Sequence, residues 1–202
     1  MLLLFPAAGL AVPVSALPED ALAEDSPATA TIERFYDGLL GVMRAGRQLS
    51  FDQRYDRLRP IILGAFDLAQ MTRLAIGPLW PQLPPALQQQ LSDAFTHYTV
   101  SVYTNRFDGY SGERFEVDPH SVPNANGVVV QSRLIQASGE KVMLNYLMRE
   151  GAAGWQVIDV YLSGTVSELA TRRSEFATVL RRDGPEGLVR NLDQRAAALR
   201  TG

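Results

Sequence analysis

Cysteine is absent from the 202-residue chain. That excludes disulfide scaffolds, thiolate zinc sites, covalently attached c-type haem and a cysteine nucleophile. Histidine is scarce: His97 and His120 are the only two, too few for a multi-histidine metal centre. Lysine occurs once, at Lys141, against 18 arginines, and the net charge is −3. No global basic field is present to hold nucleic acid. There is no glycine-rich phosphate loop, internal repeat or low-complexity tract, and past residue 23 no apolar run approaches the length of a membrane span. What is present is ordinary globular composition, 46% hydrophobic and 20% charged, which excludes a disordered chain.

The first residues stand apart. Residues 1–17 carry no charge and consist largely of Leu, Ala and Val, interrupted by Pro6 and Pro13. The run is too short for a spanning helix and reads as the apolar core of a secretory signal. Ala21-Leu22-Ala23 before Glu24 is one small-x-small cleavage candidate and Val14-Ser15-Ala16 a second, although no Lys or Arg precedes the run. The expectation is a leader over residues 1–23 and one exported domain over residues 24–202.

Helical spacing governs the first half. Ser26 caps and Pro27 opens a helix carrying Ile32, Phe35, Tyr36, Leu39, Leu40 and Met43, with Gly46 as its stop. A second helix is expected over residues 50–63, kinked or interrupted at Pro60. A short third starts at Asp67 and ends at Gly77-Pro78, and a long one runs from Pro85 to Phe107. The period then changes. Residues 114–117, 128–137, 141–148 and 155–162 read as strands, separated by Asn126-Gly127, Ser138-Gly139 and Gly151-Ala152-Ala153-Gly154. After Gly164, Val166, Leu169, Phe176, Val179 and Leu180 return to helical spacing, Gly184-Pro185 breaks it, and Leu188, Leu192 and Leu199 mark a last helix. The fold class is α+β: a twisted four-stranded antiparallel sheet, with helices before and after it packed on one face.

The strand faces carry an apolar surplus. Val128, Val130 and Leu134 share one face of the second strand, opposite Gln131 and Arg133. Val142, Leu144, Tyr146 and Met148 share one face of the third. In the fourth, Ile158, Val160 and Leu162 oppose Trp155, Val157 and Tyr161, and Asp159 is the lone polar point. Both faces of that strand are apolar, so either it is covered twice or more surface is greasy than one core needs. Trp80, Phe95, Tyr98, Val102, Tyr103, Phe107, Phe115 and Phe176, with Leu180, lie on elements that must pack against this sheet. These nine, with Val130, Leu134, Val142, Leu144, Tyr146, Ile158, Val160 and Leu162 of the strands, are expected to line an apolar cavity between sheet and helices.

Catalytic patterns are weak. Tyr110-Ser111-Gly112 begins like a nucleophile elbow, but Glu113 stands at the closing glycine position. Ser138 and Lys141 have serine–x–x–lysine spacing but fall in a hairpin. Asp93 and His97 are one helical turn apart, two groups where a zinc site needs three or four. Asp159 is either a buried general base or the partner of a helix end or of Arg172 or Arg173. Arg172-Arg173 and Arg181-Arg182 either meet phosphate or an acidic partner, or form a solvated face with Glu168, Glu175 and Asp183.

Three segments resemble a known family. Phe66-Asp67-Leu68-Ala69-Gln70-Met71-Thr72-Arg73-Leu74-Ala75-Ile76-Gly77 followed by Trp80, then Tyr103 with Tyr110-Ser111-Gly112-Glu113, then Trp155-Gln156-Val157-Ile158-Asp159-Val160 with Gly164, Val166-Ser167 and Arg173-Ser174-Glu175-Phe176, are similar to the MlaC / toluene-tolerance family over roughly residues 30–195. The turn Gly164-Thr165-Val166-Ser167 is one residue longer than the usual glycine–valine–serine turn and resembles the hopanoid-associated HpnM branch. The resemblance implies a monomeric periplasmic lipid-binding protein without catalysis or cofactor. Its cargo would be phospholipid or a hopanoid-type lipid, held by its acyl chains between sheet and helices. Its partners would be an inner-membrane MCE-domain ABC transporter and an outer-membrane lipoprotein complex. Two other readings stay open: a cone-shaped α+β pocket enzyme with Asp159 or His97 as base, and an interaction scaffold with a filled core.

Overall fold

Local chemistry at the chain reversals sets the helices. A computed structural model describes residues 26–201, and the leader expected over residues 1–23 lies outside the described residues. Ser26 Oγ accepts the Thr29 N–H at 3.2 Å, and Pro27 opens α1 (Pro27–Ala45), which ends at Gly46 with φ 50°. A capping box between Ser50 and Gln53 starts α2 (Phe51–Ala65). Pro60 does not interrupt that helix. It sits on the exposed side together with Asp56, whose carbonyl lacks a donor four residues on and is free to meet water instead. The Asp67 carboxylate accepts the Gln70 N–H at 2.8 Å and starts α3 (Leu68–Ile76). A 3-10 segment, Gly77–Gln82, holds Trp80 and leads to α4 (Pro85–Arg106).

The strands form one antiparallel meander in the order β1 (Arg114–Asn124), β2 (Gly127–Ile135), β3 (Lys141–Gly151), β4 (Gly154–Leu162), β5 (Val166–Ser167). There are five strands rather than the four expected. Ser163 at φ 51° and Gly164 at φ 80° reverse the chain, so Val166 pairs with Leu162 and Ser167 with Tyr161. Val166 therefore lies exposed on a short edge strand and not on the helix that follows. The first strand is also longer than its alternation indicated. It continues past a register shift between Val117 and Ser121, and Pro119 lies inside that shift. An edge strand accommodates Pro119 and Pro123 because one row of its backbone groups is unpaired.

A second irregularity explains the two apolar faces of β4. Leu147 pairs with Asp159, but Met148 pairs with Val157, leaving Ile158 as a bulge. The bulge shifts the alternation by one. Trp155 and Val157 before it, and Val160 and Leu162 beyond it, consequently join the same core. The outer edge of β4 is covered twice: β5 lies at one end, and at the other Phe66 bridges Val157 while the Asp67 N–H donates to Val157 O at 3.0 Å. The last helix, α5 (Glu168–Thr201), is broken at Gly184 (φ 69°) before Pro185, as the sequence indicated, and lies along α4. Among the described residues, no helix is long and apolar enough to cross a membrane.

Candidate functional site

The helices and the sheet do not close on each other everywhere. A cavity of about 750 Å³ lies between them, within the range of about 300–1,000 Å³ typical of small-ligand sites. The sheet contributes Leu144, Tyr146, Val160 and Leu162 to its wall, α1 contributes Phe35, Tyr36 and Leu39, and α4 contributes Phe95, Tyr98, Val102 and Tyr103. Phe66, Met71, Phe107 and Phe115 complete the apolar lining. The charged lining residues are Arg106, Glu168, Arg172, Glu175 and Arg195. Arg106 is exposed and the other four are half-buried, and with the exposed lining residues Asn105, Thr171 and Ala198 they mark the mouth, between α4 and α5.

Aromatic geometry shapes the closed end. Tyr36 stacks on Phe115 with ring centroids 4.0 Å apart. Phe35 meets Phe66, Tyr103 and Tyr146 edge to face. The hydroxyls are paired among themselves: Tyr36 Oη donates to Tyr146 Oη at 2.9 Å and lies 2.7 Å from Ser132 Oγ, which donates to the Leu144 carbonyl. Burial pushes the Tyr36 phenol up to about 12 and raises those of Tyr103 and Tyr146 as well. The closed end is thus uncharged at any physiological pH.

Of the residues expected to enclose the cavity, Phe95, Tyr98, Val102, Tyr103, Phe107, Phe115, Leu144, Tyr146, Val160 and Leu162 do line it. Seven do not. Val130 is fully buried in the packed core, and Phe176 is turned edge-on to Phe95 at 5.8 Å. Ile158 is the bulge residue. Leu134 and Val142 pair across β2 and β3 on the same sheet face as Leu144 and Tyr146, but they sit toward the hairpin end of that face and do not reach the cavity. Trp80 on its 3-10 segment and Leu180 on α5 pack against the core from elsewhere. Sequence reasoning passed over Phe35, Tyr36, Leu39, Phe66 and Met71, which read as ordinary core, and the charged mouth. The adjacent aromatics Phe35-Tyr36 were the available signal, since they widen one helix stripe beyond what a single packing partner covers.

The candidate bases lie elsewhere. Asp159 accepts the Val160 and Leu169 N–H groups on Oδ1 at 2.7 and 3.0 Å and the Ser167 hydroxyl on Oδ2 at 2.6 Å, so it ties β5 and the first turn of α5 to β4. It does not line the cavity. His97 is half-exposed, 3.8 Å from Asp193, with its ring edge-on to Tyr55. Asp93 instead accepts from Gln89. Among the described residues, no group of three or more His, Asp or Glu is placed to hold a metal. Arg172 and the Arg181-Arg182 pair diverge: Arg172 reaches the cavity mouth, whereas Arg181 bonds Thr178 and Arg182 bonds Asp183 at the surface.

An uncharged apolar hollow under an antiparallel meander, opening through a charged mouth between two helices, defines a protein built around an apolar guest. The family model described as MlaC protein matches residues 33–194, and the chain belongs to the MlaC family. Among solved structures it is similar to a phospholipid-binding protein from Ralstonia solanacearum determined in complex with a phospholipid. That match has a TM-score of 0.74 and 28% identity, and covers 85% of this chain and 98% of the other.

Proposed function

We propose that this protein is a periplasmic lipid carrier. It takes up a phospholipid by burying acyl chain in the cavity and shuttles it between an outer-membrane lipoprotein complex and an inner-membrane MCE-domain ABC transporter. The observation that carries the reading is the 750 Å³ apolar hollow itself, together with the phospholipid bound by the Ralstonia relative. A buried methylene contributes about 0.8 kcal/mol, so one long chain supplies on the order of 10 kcal/mol before ordering costs. Holding by area also suits release, because the tail itself makes no directed bonds to the wall that must be broken as it leaves. The leader over residues 1–23 and a single monomeric domain over residues 24–202 belong to the same reading. The lengthened turn at Gly164-Thr165 supports placement in the hopanoid-associated branch, with a hopanoid-type lipid as the competing cargo.

The test is mass spectrometry of organic extracts from protein purified out of its native compartment. Co-purified phospholipid is the expected result. A triterpenoid in its place reassigns the cargo, and extracts free of any lipid overturn the carrier reading.

A further inference from the structure

The mouth is more ordered than a passive opening requires. Glu175 Oε2 lies between two guanidinium groups, 2.9 Å from Arg172 Nη1 and 3.4 Å from Arg195 Nη1. Both guanidinium carbons also lie over the ring of Tyr98, at 5.5 and 4.6 Å, and Arg195 Nη2 donates to Tyr98 Oη at 2.8 Å. Tyr98 is buried on α4, Arg172 belongs to the part of α5 before Gly184, and Arg195 to the part after it. Two stretches of α5 therefore meet at one acceptor oxygen, and α4 backs both guanidinium groups through Tyr98, at the rim of an apolar cavity.

We propose that this clamp is a phosphodiester site, in which the headgroup phosphate of a bound lipid takes the place of the Glu175 carboxylate between Arg172 and Arg195. The inference rests on the reading of the cavity as a lipid site and adds headgroup selection to it. Guanidinium forks donate to carboxylate and phosphate oxygens in the same manner, so a bridging carboxylate shows where an anionic oxygen is held. Stacking on Tyr98 sets the orientation of both forks in advance, which lowers the ordering cost of binding. Glu175 is 40% exposed and has water to turn into. The charge balance also fits. Arg106, Arg172 and Arg195 against Glu168 and Glu175 leave the mouth one positive charge in excess, which a monoanionic phosphodiester neutralises. An uncharged lipid head has nothing to exchange for Glu175.

The experiment compares two lipids with identical tails, dioleoyl phosphatidylglycerol and dioleoylglycerol, as competitors against a fluorescent phospholipid bound to the full chain. Wild type is expected to favour the phospholipid by about tenfold or more. Arg172→Ala/Arg195→Ala is expected to lose that preference while still binding dioleoylglycerol, and Glu175→Gln to increase it. Arg172→Lys/Arg195→Lys keeps the charge but not the fork and is expected to retain only part of the preference; should the alanine pair not fold, this pair and Glu175→Gln decide. Equal binding of the two lipids by wild type, or an undiminished preference in the folded arginine variants, overturns the headgroup site and leaves the carrier reading standing. Binding of neither lipid by folded wild type overturns both.

Discussion

Two regions beneath the same sheet use the same kinds of residue and end differently. Where helix meets helix, Leu58, Ile62, Leu91, Val100, Leu188 and Leu192 are completely buried and belong to one closed cluster. Where α1 and α4 face β3 and β4, Val102, Leu144, Val160 and Leu162 stop short of one another around a 750 Å³ hollow. Side-chain ridges of two helices interdigitate and bring the axes close. A twisted sheet curves away from a straight helix, so the gap stays open unless large side chains span it. The atoms facing that gap forgo dispersion contacts, and an alkyl guest restores them. Foldedness and binding capacity are thus carried by different parts of one apolar interior.

Placing the same charge in each region gives the largest contrast. Val130→Asp puts a carboxylate where side chains already fill the space, and is expected to cost about 3–5 kcal/mol of stability in urea unfolding. A folded Val130→Asp within about 1 kcal/mol of wild type breaks the distinction between the regions. Leu144→Asp places the carboxylate on the cavity wall, where water reaches it. Stability is expected to fall by no more than about 1.5 kcal/mol, while phospholipid loading falls by roughly a hundredfold, because the tail must now desolvate a charge. Unimpaired loading removes Leu144 from the binding surface.

Two smaller substitutions sharpen the boundary. Tyr36 joins the regions, with its ring on the cavity and its hydroxyl bonded to Ser132 and Tyr146. Tyr36→Phe removes one oxygen from a buried chain of three and is expected to cost about 1–2 kcal/mol, read by the same unfolding curves. Asp159 anchors the start of α5, which carries one side of the mouth. Asp159→Asn keeps the shape but weakens the acceptor for two amides and a hydroxyl, for about 1 kcal/mol. Faster hydrogen exchange confined to β5 and the first turns of α5 is its expected signature; exchange spread evenly over the chain argues against a local anchor.

How much of this was readable beforehand follows the same division. Helix ends were legible because Ser26-Pro27, Asp67 and the positive-φ glycines Gly46 and Gly77 act through neighbours in sequence. Hairpins were legible at Ser138-Gly139 for the same reason, through the Gly139 N–H to Gln136 O bond. The phase of β4 was not, because the Ile158 bulge is set by its pairing with β3, and alternation alone counts it as one more inward residue. Nor was the two-residue β5, which depends on Asp159 holding Ser167 across eight positions. Residue type identified ten members of the cavity wall but also drew in Val130 and Phe176, which differ from them only in having a neighbour opposite. Whether two packed surfaces meet is a property of the pair, and neither segment encodes it alone.

The smallest effect concerns the mouth, the one charged part of the site. Partial burial pushes the Glu175 carboxyl up, but Arg172 and Arg195 together outweigh it and hold the group below its ordinary value of 4.5. A carboxylate depressed in the folded state adds stability above its unfolded pKa and loses that contribution as pH falls through the folded value. The stability difference between wild type and Glu175→Gln is therefore expected to be constant from pH 7 down to about 5.5, and to shrink as the pH drops below 4.5. Because Glu175 and Arg195 are each more than a third exposed, solvent screening limits it to under about 1 kcal/mol, and added salt should reduce it further. The uncharged closed end has no counterpart in this range, since its phenols ionise only in strong alkali. A difference that widens on acidification would mean that Glu175 is protonated more readily in the folded chain, and the two arginines would then be holding something other than its carboxylate.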